Sequence, residues 1–233
     1  ILCDRSQHMS IRSPPTGLQF EREIKVGHEC NTVCHYKGYT YVGLDGGAVD
    51  RIDDQGNVTS AFIKLPNDVI SIREFNGQLF ILTYYEPYII FVFKLNGSQI
   101  HTWYHHDENY DYYYGNKISI INNQLAVADV SNKRITLYTP AGEVIRHIQC
   151  AEITADTFVS MCECDDNSVI ISCYSTARVF KFNLTSGAVE WTNTDIRGPF
   201  TVRCYGQYVL VSGGYTNQTH ISIIDSETGK ILL

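Results

Sequence analysis

Residues 125–148, LAVADVSNKRITLYTPAGEVIRHI, read as three strands joined by two turns. Leu125, Val127 and Asp129 alternate with Ala126 and Ala128, as in a buried strand that ends at a carboxylate. Asp129 to Lys133 is a tight polar turn. Arg134 to Thr139 is a second strand, with Ile135, Leu137 and Tyr138 supplying β-favouring bulk. Pro140-Ala141-Gly142 is another turn and Glu143 to Ile148 a third strand.

The pattern recurs. Asp4 and Gly17 stand thirteen positions apart, as do Asp129 and Gly142. Both stretches carry a Ser two residues after the Asp, an amide three after it, and a Pro-x-Gly turn. Taking the end of each unit's second strand as a marker gives Asp4, Asp45, Thr83, Asp129, Cys173 and Ser212, at intervals of 41, 38, 46, 44 and 39 residues. Each complete unit reads as four short strands. A first strand such as CNTVCHY or DVISIREF turns through Gly or Asn into a second such as YTYVGL or QLFILTY. The third and fourth strands flank the turns DDQG, LNGS, TPAG, LTSG and SETG, which carry the residues that positive φ requires.

Four-stranded units repeating at this length specify an all-β fold, a β-propeller of four-stranded antiparallel blades. Helical repeats are excluded because no segment spaces its apolar residues at 3.6. The markers predict six blades in one domain spanning residues 1–233. These are a partial first blade over 1–25 and blades over about 29–64, 68–105, 116–149, 156–194 and 199–233. One innermost strand is then missing from a closed ring, which points to a chain trimmed from a longer protein. The competing arrangement is a five-bladed ring with an irregular N-terminal arm.

The Asp-x-x-Asn-x-Arg run of residues 129–134, followed by strand, Pro-x-Gly and strand, resembles the NHL repeat of TRIM-NHL-type proteins. The first unit resembles it with Gln7 and Met9 at the Asn and Arg positions, and the other four share only length and strand pattern. The resemblance implies a six-bladed propeller. It also raises single-stranded RNA as a ligand, since some NHL propellers bind it on a basic face.

A net charge of −7 disfavours a basic nucleic-acid binder. No apolar run approaches the length of a membrane span and no cleavable leader is visible, so the chain reads as soluble. Cys3, Cys34, Cys162, Cys164, Cys173 and Cys204 fall in predicted strands and read as buried reduced thiols, which favours the cytoplasm. Sequons at Asn57, Asn96, Asn183 and Asn217 point instead to secretion. Cys162-x-Cys164 is too short a spacing for a zinc ligand pair.

Propellers bind ligands on the face built by loops joining second to third strands and one blade to the next. The longest such loop, YHHDENYDYYYGN over residues 104–116, supplies Tyr110, Tyr112, Tyr113 and Tyr114. Tyr84, Tyr85, Tyr88, Tyr174 and Tyr215 are expected on the same face. Tyrosines present large amphipathic rings at small entropic cost, so this surface predicts non-catalytic recognition of a protein, peptide or glycan. The adjacent His105, His106, Asp107, Glu108 and Asp111 read as a solvated polar loop. Asn31, Asp68, Asn116 and Asp156 begin four first strands, and oxygen donors converging there would suit Ca²⁺. That alternative resembles the calcium-dependent lactonase-like hydrolases. The simpler reading is that Asn and Asp suit the preceding turns, and no cofactor is then needed. Arg5, Lys133, Arg178 and Arg197 would serve an RNA ligand, but Glu86, Asp107, Glu108, Asp111, Glu152 and Asp195 stand among them and repel phosphate. No nucleophile motif, phosphate loop or dinucleotide fingerprint occurs, which weighs against an enzyme.

Overall fold

A computed structural model describes residues 24–26, 28–84, 88–105, 117–130, 132–153, 159–214 and 220–233. The chain divides into two compact units, residues 1–106 and 107–233. The first unit contains two antiparallel four-stranded sheets, each in simple sequential order. One consists of β1 (Cys30–Tyr36), β2 (Tyr39–Leu44), β3 (Ala48–Asp53) and β4 (Val58–Lys64). The other consists of β5 (Val69–Phe75), β6 (Gln78–Thr83), β7 (Tyr88–Lys94) and β8 (Gln99–His105).

The second unit contains three sheets. β9 (Ile118–Ile121), β10 (Gln124–Asp129), β11 (Arg134–Tyr138) and β12 (Val144–Gln149) form the first. β13 (Val159–Asp165), β14 (Ser168–Cys173), β15 (Arg178–Asn183) and β16 (Val189–Asn193) form the second. The third has β17 (Thr201–Tyr205), β18 (Tyr208–Gly213) and β19 (His220–Asp225). Residues 230–233 return beside β19, with Ile223 N donating to Leu233 O at 2.8 Å and an antiparallel bridge between Ile224 and Ile231.

Five sheets among the described residues correct the expected six. The sixth unit rested on residues 1–25, of which 1–23 lie outside the described residues. Its recurrent thirteen-residue spacing is set by turn residues. Turn residues specify where strands can be joined and not whether a full sheet forms, so the spacing does not by itself define a blade.

The turns explain why each sheet folds in sequence order. In three of the five sheets the first and second strands are joined by two-residue turns whose central residues have positive φ: Lys37 and Gly38, Asn76 and Gly77, Asn122 and Asn123. Such turns match the right-handed twist of the flanking strands. Third and fourth strands are joined around Gly56, Gly97, Gly142, Gly187 and Gly229, all at positive φ. Polar side chains close all five turns on their own backbone: Asp53 Oδ1 accepts from Asn57 N, Thr139 Oγ1 from Glu143 N, and Asn183 Oδ1 from Thr185 N and Ser186 N. Asn96 does so from Ser98 N and Asp225 from Thr228 N.

Burial falls across each sheet. Every residue of β14 is buried, and so are all but the first of β2, β6 and β10. In β12 only Ile148 is buried. First strands of consecutive sheets within a unit lie side by side, and a hydroxyl of one accepts an amide of the next. Thr32 Oγ1 takes Ile72 N at 3.3 Å, forty residues on, and Ser160 Oγ takes Val202 N at 3.4 Å, forty-two on. Apolar side chains fill the space between sheets, with Met161, Phe180 and Phe182 packing on Ile121, Ala128 and Ile135. Cys30 is disulfide-bonded, whereas Cys34, Cys150, Cys162, Cys164, Cys173 and Cys204 are in the thiol form.

An ionic cluster ties the last two sheets together. Lys181 on β15 is 5% exposed, and its Nζ meets Asp165 at 3.0 Å, Glu190 at 3.1 Å and Glu227 at 3.7 Å. Burial works against the Lys181 charge, but hydrogen bonds to Asp165 and Glu190 outweigh it and raise its pKa. Burial pushes Asp165 up, yet the Asn167 amide and Lys181 bring it below its ordinary value. Glu190 is lowered chiefly by the Asn183 amide, and further by Lys181. Carboxylates with depressed pKa values contribute stability above their unfolded values and lose it as pH falls through the folded ones. The contribution of this cluster should therefore fade as pH drops below about 4.5, the ordinary glutamate value. Lys181→Met should cost about 1 kcal/mol at neutral pH, because the carboxylates are partly solvent-screened. It should also flatten the acid limb of the stability curve, as urea unfolding at stepped pH would show. An acid limb as steep as wild type would refute the coupling.

Candidate functional site

In the first unit the loop end of sheet β5–β8 gathers tyrosines. Tyr84 follows β6, and its amide donates to Asp68 O at 2.8 Å, pinning it to the start of β5. Tyr88 opens β7 opposite His105, and Tyr104, next to the end of β8, pairs with Ile89. Antiparallel order puts these residues at one end of one sheet, where residues 106–116 leave β8. Tyr84 and Tyr88 are half-buried and Tyr104 is 51% exposed. Tyr85, Tyr110, Tyr112, Tyr113, Tyr114 and Tyr215 lie outside the described residues.

In the second unit the corresponding loop ends interlock. Tyr174, after β14, sets its ring edge-on to Phe200 at 5.9 Å and 85°. Gly198 packs beneath that ring, where a Cβ would come within 3.0 Å of Tyr174 and 2.9 Å of Gly214 O. Gly214 N donates to Arg197 O at 2.9 Å, joining the loop after β16 to the loop after β18. Tyr174 is thus half-buried and held by its neighbours.

The Asp-x-x-Asn-x-Arg run forms a self-contained loop. Asp129, with its side chain fully buried, accepts Asn132 N at 3.1 Å, both of its oxygens accept Asn132 Nδ2 at 3.1 Å, and Arg134 Nε reaches it at 2.6 Å. Lys133 takes a φ of 51°, and Ala177 takes 49° at the matching place in the next sheet. There Arg178 pairs with Glu152 Oε2 at 2.6 Å and donates to Glu152 O at 2.9 Å. Both arginines are therefore bound to carboxylates. Lys133 and Arg197 are exposed and Arg5 lies outside the described residues.

Of the four oxygen donors, Asn31 and Asp68 meet around one turn. Asn31 Nδ2 donates to Asp45 Oδ1, and Asp68 Oδ1 accepts Gly46 N at 2.6 Å. Both therefore shape the β2–β3 turn. Asn116 and Asp156 lie outside the described residues. Among the described residues no group of three His, Cys, Asp or Glu side chains is arranged to hold a metal ion.

Sequence reasoning missed the tyrosines at the opposite, hairpin end. Tyr205 is 78% exposed and Tyr208 39%, flanking the β17–β18 turn. Tyr36 and Tyr39 flank the β1–β2 turn in the same way, with Lys37 Nζ 5.1 Å from the Tyr36 ring and Arg51 4.8 Å from that of Tyr39. The Tyr-x-x-Tyr spacing across a two-residue turn was the available signal.

No family model and no curated protein matches the chain. Solved structures do resemble it. A protein of unknown function from Bacteroides caccae aligns with a TM-score of 0.70 at 16% identity, over 92% of this chain and 84% of that one. A catalytically inactive virginiamycin B lyase from Staphylococcus aureus, solved with quinupristin, aligns with a TM-score of 0.67 at 15% identity, over 93% and 74%. The WD40 β-propeller domain of Doa1 aligns with a TM-score of 0.66 at 15% identity, over 99% and 76%. The chain has a β-propeller fold of antiparallel blades, and the NHL subtype is not among these likenesses. No helix among the described residues is long and apolar enough to cross a membrane.

Proposed function

We propose that this chain is a non-catalytic binding module that recognises a protein or peptide through the tyrosine-rich loop end of sheet β5–β8. The observation that carries the reading is the grouping of Tyr84, Tyr88 and Tyr104 where the tyrosine-rich segment 106–116 departs. Rings presented from a sheet end lose little freedom on binding and bury large area. The likeness to a WD40 domain supports an interaction role by analogy of fold alone. The acidic neighbours and the Arg178–Glu152 pair argue against phosphate-rich ligands.

A display selection with random linear peptides tests this. Peptides enriched on wild type should bind the Tyr112→Ala/Tyr113→Ala/Tyr114→Ala variant at least tenfold more weakly, about 1.4 kcal/mol. Equal binding to the variant, or no enrichment on wild type, would remove the assignment. Enrichment on a glycan array alone, lost in the same variant, would redirect the site to sugars.

A further inference from the structure

We propose that Cys204 on β17 forms a reversible disulfide with the Cys162/Cys164 thiol pair of β13, a redox clamp between two sheets of the second unit. Cys162 Sγ and Cys204 Sγ are 3.3 Å apart. Cys164, two residues along β13, points the same way and also hydrogen-bonds Cys204. The strands are already in register for a crosslink. Ser160 meets Val202 forty-two residues on, and Cys162 meets Cys204 at that same separation one step further along. In the first unit the matching step after Thr32 and Ile72 brings Cys34 and Glu74, so the sulfur pair is particular to this junction.

The three thiols differ in reactivity. Cys162 is buried, while Cys164 and Cys204 are half-buried and within reach of a small oxidant. The hydrogen bond from Cys204 stabilises the Cys164 thiolate, and the Lys181 ammonium assists despite Asp165 and Glu227. Cys204 faces two sulfurs and is pushed far up. Cys164 is therefore the nucleophile and Cys204 the resolving thiol. The Cys164 thiolate attacks one sulfur of a low-molecular-weight disulfide, breaking its S–S bond and expelling one thiolate. Cys164 then carries no charge, which eases loss of the Cys204 proton. Cys204 attacks the Cys164 sulfur and expels the second thiolate. Two protein thiols and one small disulfide thus yield one protein disulfide and two small thiols. The bond can pass on to Cys162 by internal exchange.

The test treats reduced protein with glutathione disulfide, alkylates it and maps its tryptic peptides without reduction. The expected result is a crosslink between peptides 147–178 and 204–230, placed by fragment ions between Cys204 and Cys162 or Cys164 rather than Cys150 or Cys173, and reversed by dithiothreitol. Cys150 is the internal control, since burial pushes its thiol up to about 11. Cys164 should react at least about tenfold faster than Cys150. The oxidised protein should melt several degrees higher, and Cys204→Ser should abolish both crosslink and shift. All three thiols remaining as open to alkylation as before, or a crosslink that omits Cys204, would overturn the proposal. If Cys204→Ser does not fold, the wild-type peptide map decides alone. This outcome is independent of the tyrosine surface.

Discussion

Replacing Asp129 with alanine is expected to destabilise the second unit by about 3 kcal/mol, the cost of orphaning a buried charge partner. The side chain is fully buried and ties Asn132 and Arg134 together at the turn between β10 and β11. It accepts the Asn132 amide and side chain and the Arg134 guanidinium. Alanine would leave Arg134, 21% exposed, without its partner and open a small cavity. Arg178→Ala in the next sheet is the informative contrast. Its ion pair is 26% and 43% exposed, so its loss should cost less than about 1 kcal/mol. Equilibrium urea unfolding of both variants checks the pair. An Asp129→Ala variant within 1 kcal/mol of wild type would show that the loop is held by its backbone alone.

The second large effect is expected at Gly47. It has a φ of 76°, and a Cβ there would sit 2.2 Å from Leu65 O and 2.9 Å from Asn67 O. These are backbone atoms, and Leu65 N already donates to Gly47 O at 2.7 Å, so the two segments cannot separate without losing that bond. Neighbouring Gly46 has a similar φ of 78° but nothing within 4 Å of its would-be Cβ. Gly46→Ala thus isolates the left-handed strain, about 1 kcal/mol. Gly47→Ala adds steric overlap and should cost about 3 kcal/mol or more. Thermal unfolding of the two variants side by side measures the difference, and equal melting temperatures would contradict the contact.

The strand content was legible because the second strands are near-continuous apolar runs, such as QLFILT and SVIISC, bounded by Gly and Asn turns. The five third-to-fourth-strand turns were legible from glycines that only positive φ explains. The blade count was not, because the Asp-to-Gly spacing at the N-terminus reports turn chemistry, which does not by itself count sheets. Asp129, Asn132 and Arg134 stood out as a motif, but sequence did not show that they spend their polar groups on one another. Lys181 and Cys204 were invisible as partners for a related reason. Lys181 meets Asp165 and Glu190 across its own sheet and Cys204 meets Cys162 across a sheet junction, so each contact depends on the register between strands. That Tyr84, Tyr88 and Tyr174 stand at strand ends was legible, since loop position follows from strand order.

The fall in burial from second to fourth strand gives each sheet a direction of opening. Backbone amides of β12, backed by little apolar area, should exchange with solvent through small local fluctuations. Those of β10 should wait for rearrangement of the whole sheet. The blades are thus pliable at one margin and stiff one strand in from the other. Loops that spring from the stiff side inherit a steady platform, while the pliable margin absorbs thermal motion.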